Sequence, residues 1–230
     1  MTTATEAAAP TTGTLPAAGT LRSALERIVP PGRVLDRALD RIAFASDASF
    51  YRLIPKAVVL TESVDEVAAL FRLARETKVP VTLRAAGTSL SGQAVTDGIL
   101  AEVARHWRTV KVEDGGRRFR AQPGVIGASV NAALRPYRTK MGPDPASINA
   151  CTMGGILSNN SSGMCCGVAQ NAYHTLESLT FLLPSGTRID TAAPDGELVT
   201  ARRPSGIPRR TGPSSNGVLA CTCRSLTHGL

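Results

Sequence analysis

Arg84-Ala85-Ala86-Gly87-Thr88-Ser89-Leu90-Ser91-Gly92-Gln93 is a run of small and hydroxylated residues set directly behind the apolar segment 78–83. Small side chains let a backbone approach a ligand closely, and successive exposed N–H groups form a concave nest that attracts anions such as a pyrophosphate. The run reads as a holder for a phosphorylated cofactor; the alternative reading is an ordinary Gly/Ser turn after a strand. Arg84 is open to two roles, a phosphate clamp or a strand-end charge in a salt bridge.

A second run points the same way. Gly142-Pro143-Asp144-Pro145-Ala146-Ser147 leads into Thr152-Met153-Gly154-Gly155-Ile156-Leu157-Ser158-Asn159-Asn160-Ser161-Ser162-Gly163, almost without charge or aromatic bulk. A free surface loop of that length normally carries charge, so the segment reads as backbone packed against something flat and polar. A flexible linker fits the Pro-Asp-Pro start poorly, because prolines fix the chain.

Around these runs the pattern is mixed helix and strand. Residues 21–29 and 33–41 are short amphipathic helix candidates separated by Pro30-Pro31-Gly32. Residues 57–60 read as an apolar strand, and Thr61 as an N-cap for a helix over 63–77 whose Val64, Val67, Ala68, Phe71 and Ala74 share a face. That face is expected to pack on a strand at 79–83, giving a strand, helix, strand unit that ends in the Gly87 loop. Strands are predicted at 98–103, 109–113 and 117–121, a helix at 126–134, and a hairpin of 177–183 with 187–190 around Pro184-Ser185-Gly186.

Composition removes several function classes. The 230 residues are 43% hydrophobic and 4% aromatic, enough for one good core or two small ones built from aliphatic residues. The net charge of +8 invites a nucleic-acid reading, yet residues 1–201 hold 21 Lys and Arg against 18 Asp and Glu, and five arginines lie beyond them. With no basic stripe interleaved with aromatics, nucleic acid is not expected as a partner. No apolar run approaches the roughly 20 residues that cross a bilayer, and the Ala/Thr/Pro-rich start lacks a signal's basic and apolar regions, so the expected address is the cytoplasm. Five cysteines fit a reducing compartment; Cys165-Cys166 lacks the repeated spacing of a metal site, and buried free thiols are expected. No metal ligands or catalytic residues are assigned. The sequence shows no orienting partner for His106 or His174, so neither is expected to be catalytic or flavin-linked, and no nucleophile elbow is present.

Five motifs in order carry a family resemblance: Asp47-Ala48-Ser49-Phe50-Tyr51 with Pro55-Lys56-Ala57-Val58-Val59; Arg84 to Gln93; Gln122-Pro123-Gly124-Val125; Pro143-Asp144-Pro145-Ala146-Ser147; and Thr152 to Gly163. Over about residues 42–195 the chain resembles the flavin domain of FAD-linked oxidases and dehydrogenases of the para-cresol methylhydroxylase or vanillyl-alcohol oxidase type. Within that group it is most similar to bacterial D-lactate and D-2-hydroxyglutarate dehydrogenases that carry an iron-sulfur region.

The resemblance implies an α+β fold of two small α/β lobes with FAD between them, incomplete at the C-terminus. It also implies a cofactor-binding set: Ala86, Gly87, Thr88, Ser89 and Leu90 offering amides to the pyrophosphate, and Pro143, Asp144, Ser147, Thr152, Gly154, Gly155, Asn160, Ser161 and Gly163 along the flavin and its ribityl chain. Where many relatives write glycines after the arginine, this chain has Ala85 and Ala86, which would be strained at positive φ. A 2-hydroxy acid and an electron acceptor are the implied partners once the enzyme is completed. An inactive fragment that binds FAD weakly or not at all is the alternative, with a cell-wall nucleotide-sugar reductase behind it. The expected division is a disordered tail at 1–20, the partial flavin domain at 21–197, and a tail at 198–230 unrelated to the family, disordered and produced by a frameshift or truncated reading frame.

Overall fold

Behind Leu60 the amphipathic stretch forms helix α3, Val64–Thr77. In this computed structural model the backbone is described for residues 18–193, 198–199 and 217–227, and the side chains for residues 21–193. The N-cap of α3 is Ser63, whose hydroxyl accepts from the Glu66 amide at 3.3 Å, with Asp65 and Glu66 at the positive end of the helix. The predicted cap, Thr61, lies too early in the chain to reach those amides. It is fully buried instead: its hydroxyl donates to the Glu102 carbonyl at 2.8 Å, and its own carbonyl accepts from Trp107 Nε1 at 2.8 Å. Val67, Leu70, Phe71 and Leu73 bury the inner face of α3, each contributing about 1.5–3 kcal/mol.

The first lobe is a four-stranded sheet. Its order is β1 (Val34–Leu35), β2 (Ala57–Leu60), β4 (Ile99–Glu102), β3 (Val81–Arg84). Strands β2, β4 and β3 run parallel, with Ala57 and Val81 both paired to Ile99; β2 and β4 are buried on both faces, as a parallel sheet under helices requires. The expected strand, helix, strand unit therefore exists, but β4 is inserted between its two strands. The helix predicted at 33–41 is replaced by β1 and the short α2, Ala38–Ala43. Val34 gains a ladder position opposite Val59 and becomes buried, so pairing outweighs helical period there. Helix α1, Ala18–Glu26, packs Leu21 and Leu25 into the same core as Val59 and Leu70.

The second lobe is an antiparallel sheet covered by two helices. Strands β5 (Val110–Glu113), β6 (Arg118–Ala121), β8 (Leu176–Leu182), β9 (Arg188–Asp190), β10 (Leu198–Val199) and β11 (Gly217–Thr227) follow the order β10-β9-β8-β11-β6-β5, and β7 (Thr139–Met141) pairs with β11. In β6 the period of two is clean: Phe119 and Ala121 point into the core, Arg118 and Arg120 outward. Helices α4, Gly127–Leu134, and α5, Met153–Ser158, close that core with Val130, Leu134, Met153 and Ile156. A four-residue helix, α6 (Ala172–Thr175), leads into β8.

Two expectations about the ends of the chain change. Residues 18–20 open α1, while the rest of the expected N-terminal tail lies outside the described residues. In the segment 198–230, expected to be disordered, β10 and β11 are strands. Strand β11 takes the edges of both β6 and β8, for example Cys221 against Ala121 and Leu179, and so joins two hairpins that would otherwise end in unpaired backbone.

Candidate cofactor site

The Gly87 loop leaves the C-terminal end of β3, where Arg84 is the register partner of Glu102. Crevices at that end of a parallel sheet are where ligands enter open α/β structures. Gly87 takes φ +69°, the left-handed conformation that turns successive amides to one side. Among the described residues, no backbone or side-chain acceptor receives the amides of Ala86, Gly87, Thr88, Ser89 or Leu90. Five adjacent donors are thus left open. Ala85 and Ala86 do not adopt positive φ, so the strain expected of alanine at these positions does not arise.

Arg84 supports the loop from beneath. Its Nη1 donates to the carbonyls of Ser46 at 2.9 Å and Phe44 at 3.1 Å, and its guanidinium lies 5.5 Å from the Phe44 ring centroid. Burial pushes the guanidinium below its ordinary value, opposed by the charges of Asp47 and Glu102. The clamp therefore acts on backbone, and of the two roles considered for Arg84 the structural one matches these bonds.

Asp47 ties the preceding segment to the loop. Its carboxylate accepts from the Ser49 amide at 2.8 Å and the Ala94 amide at 3.3 Å, and the Ala48 amide donates to the Gly87 carbonyl at 3.0 Å. Burial raises the Asp47 carboxyl, but the bonds from Ser49 and Ala94 and the Arg84 charge outweigh it and hold the group below its ordinary value. A depressed carboxyl contributes stability above its unfolded value and loses it as pH falls through the lower folded value. The melting-temperature gap between the parent protein and Asp47→Asn is accordingly expected to be full near neutral pH and to shrink once pH drops below 3.8; thermal melts across that range check it, and a gap that grows on acidification contradicts it.

Glu102 closes the neighbouring turn. Its carboxylate accepts from the amides of Ala104 and Arg105, each at 3.0 Å, while burial pushes its carboxyl upward.

From this turn a chain of close approaches leads to the second glycine-rich segment. The Gly124 amide donates to the Trp107 carbonyl at 2.9 Å, and a Cβ on Gly124 would stand 2.4 Å from the Ala104 carbonyl. One residue earlier, the Pro123 carbonyl accepts from the Gly154 amide at 2.9 Å, and a Cβ on Gly154 would fall 2.7 Å from Pro123 Cβ. The stretch read as backbone packed against something flat and polar is partly helical: Thr152 precedes α5, Gly154 faces inward, and Gly155 is exposed with nothing within 4 Å of a Cβ position.

The remaining candidates form a compact group beside α5. Gly163 abuts Asp144 so closely that a Cβ would lie 2.0 Å from the Asp144 carbonyl oxygen. Pro143 and Asp144 are brought to Gly163 by this contact. Ser147 caps the turn into α5, its carbonyl accepting from Ala150 and Cys151, and it hydrogen-bonds the Cys151 thiol, which burial pushes upward. Asn160 sits at φ +47° and its side-chain oxygen accepts from the Tyr173 amide at 3.0 Å; the Ser161 carbonyl accepts from Ala172. Asn160 and Ser161 therefore fasten the loop to α6. Two buried oxygens have no protein partner among the described residues, Asp144 Oδ1 and Thr152 Oγ1. Orphaned buried acceptors are rare, and both belong to the predicted set.

Cys151 and Cys166 are buried, but Cys165 is exposed, contrary to the expectation of buried thiols. Among the described residues no group of His, Cys, Asp or Glu is placed to hold a metal, and no helix is long and apolar enough to cross a membrane. Cavities of about 310 Å³ beside Lys78 and Pro80 and about 530 Å³ beside Asn131 and Arg135 include no candidate residue.

Residues 55–192 match the model of a family described as FAD binding domain. The chain belongs to that family. FAD is thus the cofactor of this flavin domain, and the open amide nest, the glycine at Asp144 and the two orphaned oxygens fit a dinucleotide. The domain is 33% identical over 180 residues to the glycolate oxidase subunit GlcD of Escherichia coli strain K12, covering 77% of this chain and 34% of that protein. It is 32% identical over 148 residues to the D-2-hydroxyglutarate dehydrogenase of Pseudomonas putida, covering 62% of this chain and 15% of the relative. The chain therefore spans about a third of the length of the first of these relatives and 15% of the second. Among solved structures it is similar to p-cresol methylhydroxylase with substrate bound, at a TM-score of 0.70 and 11% identity over 91% of this chain and 43% of that one. Alkyldihydroxyacetonephosphate synthase gives a TM-score of 0.69 at 19% identity, over 89% of this chain and 40% of that one. These likenesses establish the para-cresol methylhydroxylase type of fold, of which the chain holds part.

Proposed function

We propose that this chain is the FAD-holding portion of a flavin-dependent oxidoreductase that oxidises a 2-hydroxy acid. The observation that carries the reading is the set of five open amides from Ala86 to Leu90, arranged by the left-handed Gly87 above Arg84, which is bonded to the Ser46 carbonyl. The substrate class comes from the named relatives, a glycolate oxidase subunit and D-2-hydroxyglutarate dehydrogenases.

In this reading Ala86 to Leu90 donate main-chain hydrogen bonds to the pyrophosphate, and the hydroxyls of Thr88 and Ser89 add donors. Gly154, Gly155 and Gly163 give the backbone its close approach, and Asp144 and Thr152 belong to the wall of the ribityl chain. Pro143, Ser147, Asn160 and Ser161 hold that wall in shape. When bound, the flavin supplies the acceptor for the hydride leaving the hydroxy acid's carbon; the protein supplies binding and orientation. No group in the described residues is assigned as the base for the hydroxyl proton or as the carboxylate clamp. Both are proposed to lie in the parts of the relatives that this chain does not span, so the domain by itself holds cofactor without turnover.

Purification tests this. The reading expects a yellow protein with about one FAD per chain that stays oxidised when D-lactate or D-2-hydroxyglutarate is added, and a version extended to the relatives' full length that is bleached by such an acid. A folded, colourless protein that takes up no FAD on titration contradicts it.

A further inference from the structure

Between helix α4 and strand β7 lies a cavity of about 530 Å³, lined by Asn131, Ala132, Arg135, Thr139 and Lys140. The chain builds it by turning back on itself. Arg138, at φ +57°, reverses the direction after α4, so that β7 returns beside the helix and the Met141 amide donates to Asn131 Oδ1 at 2.9 Å. That bond uses the side-chain oxygen of Asn131 and leaves its Nδ2 hydrogens as donors. Thr139 is fixed as well, its hydroxyl donating to the Gly116 carbonyl at 3.0 Å.

The charge around this cavity is uncompensated. Arg135 and Lys140 border it and no carboxylate lines it. Among the described residues neither side chain has an ion-pair partner, whereas Lys111 of the same lobe is paired with Glu113, and Arg118 with Asp114 and Glu177. Strand β11 adds no acid: Lys140 stands opposite Leu226, and residues 217–227 contain neither Asp nor Glu.

We propose that this cavity binds a small organic dianion, a dicarboxylate or a phosphate ester, through Arg135, Lys140 and the Asn131 amide. The site is separate from the FAD-holding residues and does not depend on their reading. A guanidinium presents paired N–H groups that match a carboxylate or a phosphate, lysine adds a point charge, and Asn131 adds a neutral donor. Two cations call for two negative charges. The lining has no aromatic ring on which a base could stack, and its volume falls within the roughly 300–1,000 Å³ of small-molecule sites.

Amide-resolved NMR of the full isotope-labelled chain, titrated separately with succinate, inorganic phosphate and acetate, tests the proposal. With the dianions, the amides from Arg135 to Met141 and the Asn131 side-chain amide are expected to shift and saturate with a dissociation constant in the millimolar range. Acetate, the monoanion, should bind them about tenfold or more weakly, having charge for only one of the two cations. The tighter of succinate and phosphate identifies the group that the site takes. Arg135→Gln/Lys140→Gln is expected to lose about tenfold or more in dianion affinity, the effect of removing two charge-assisted hydrogen bonds. Arg72→Gln/Arg120→Gln, which removes the same charge from two exposed positions outside the cavity, should keep parental affinity. Equal losses in the two double variants overturn the proposal, because the anion would then answer only to the net charge of +8. Parental affinity in Arg135→Gln/Lys140→Gln overturns it too. So does the absence of saturable shifts at residues 135–141 up to about 20 mM dianion. Shifts confined to Ala86–Leu90 overturn it while leaving the cofactor reading in place.

Discussion

Gly163→Ala is expected to destabilise the protein by about 3 kcal/mol and to abolish FAD uptake, the upper end of what overpacking a rigid site costs. The added Cβ would stand 2.0 Å from the Asp144 carbonyl oxygen and 2.2 Å from Asp144 Oδ1. The first of these atoms is backbone between two prolines, Pro143 and Pro145, so it has little freedom to retreat. On the other side, the Gly163 amide contacts Cys166 Sγ at 3.1 Å and the Gly163 carbonyl meets the same sulfur at 3.2 Å, which holds that strand of the loop as well. Neither wall gives cheaply. Chemical denaturation together with FAD titration checks this; a variant with parental midpoint and parental FAD affinity would show that the close approach is not there.

Gly87→Val is expected to separate binding from stability in the opposite way. At φ +69° a β-branched residue is strained by about 1–2 kcal/mol. Its Cβ would also fall 2.6 Å from Arg84 Nη2, the guanidinium that holds the Phe44 and Ser46 carbonyls. The long arginine side chain can move aside, so the fold survives with a modest loss of stability. The amide array cannot survive, because its direction depends on the left-handed residue. FAD affinity should fall at least a hundredfold, which corresponds to about 2.7 kcal/mol. Gly87→Ala should give a smaller loss of the same kind. Equilibrium dialysis with FAD on the folded variants measures it, and undiminished affinity in Gly87→Val would remove the nest from the binding account.

What was legible in the sequence, and what was not, follows from the range of the interactions concerned. The Gly87 loop and the 142–163 segment could be read because close backbone approach requires small residues wherever it occurs, and that constraint is written locally. Helix α3 could be read for the same reason, although its cap is Ser63: both Thr61 and Ser63 are plausible caps, and only the buried Glu102 carbonyl decides that Thr61 is needed elsewhere. The insertion of β4 between β2 and β3 is a choice of neighbour, which pattern alone does not specify. Strand β11 escaped notice because the Arg, Pro and Ser residues around 202–215 set the reading of the whole segment, and its partners β6 and β8 lie some 40 to 100 positions earlier. The two orphaned oxygens at Asp144 and Thr152 are visible only once packing has shielded them.

In the proposed reading the Gly87 loop and the Gly154–Gly163 wall, linked through Glu102, Trp107 and Pro123, hold one dinucleotide between them. Amide-resolved NMR titration of the isotope-labelled chain with FAD tests this most directly. The amides of Ala86 to Leu90 and those of Gly154, Gly155 and Gly163 should shift together and saturate with a single dissociation constant at one FAD per chain. Shifts confined to one of the two segments, or two unrelated dissociation constants, would contradict it.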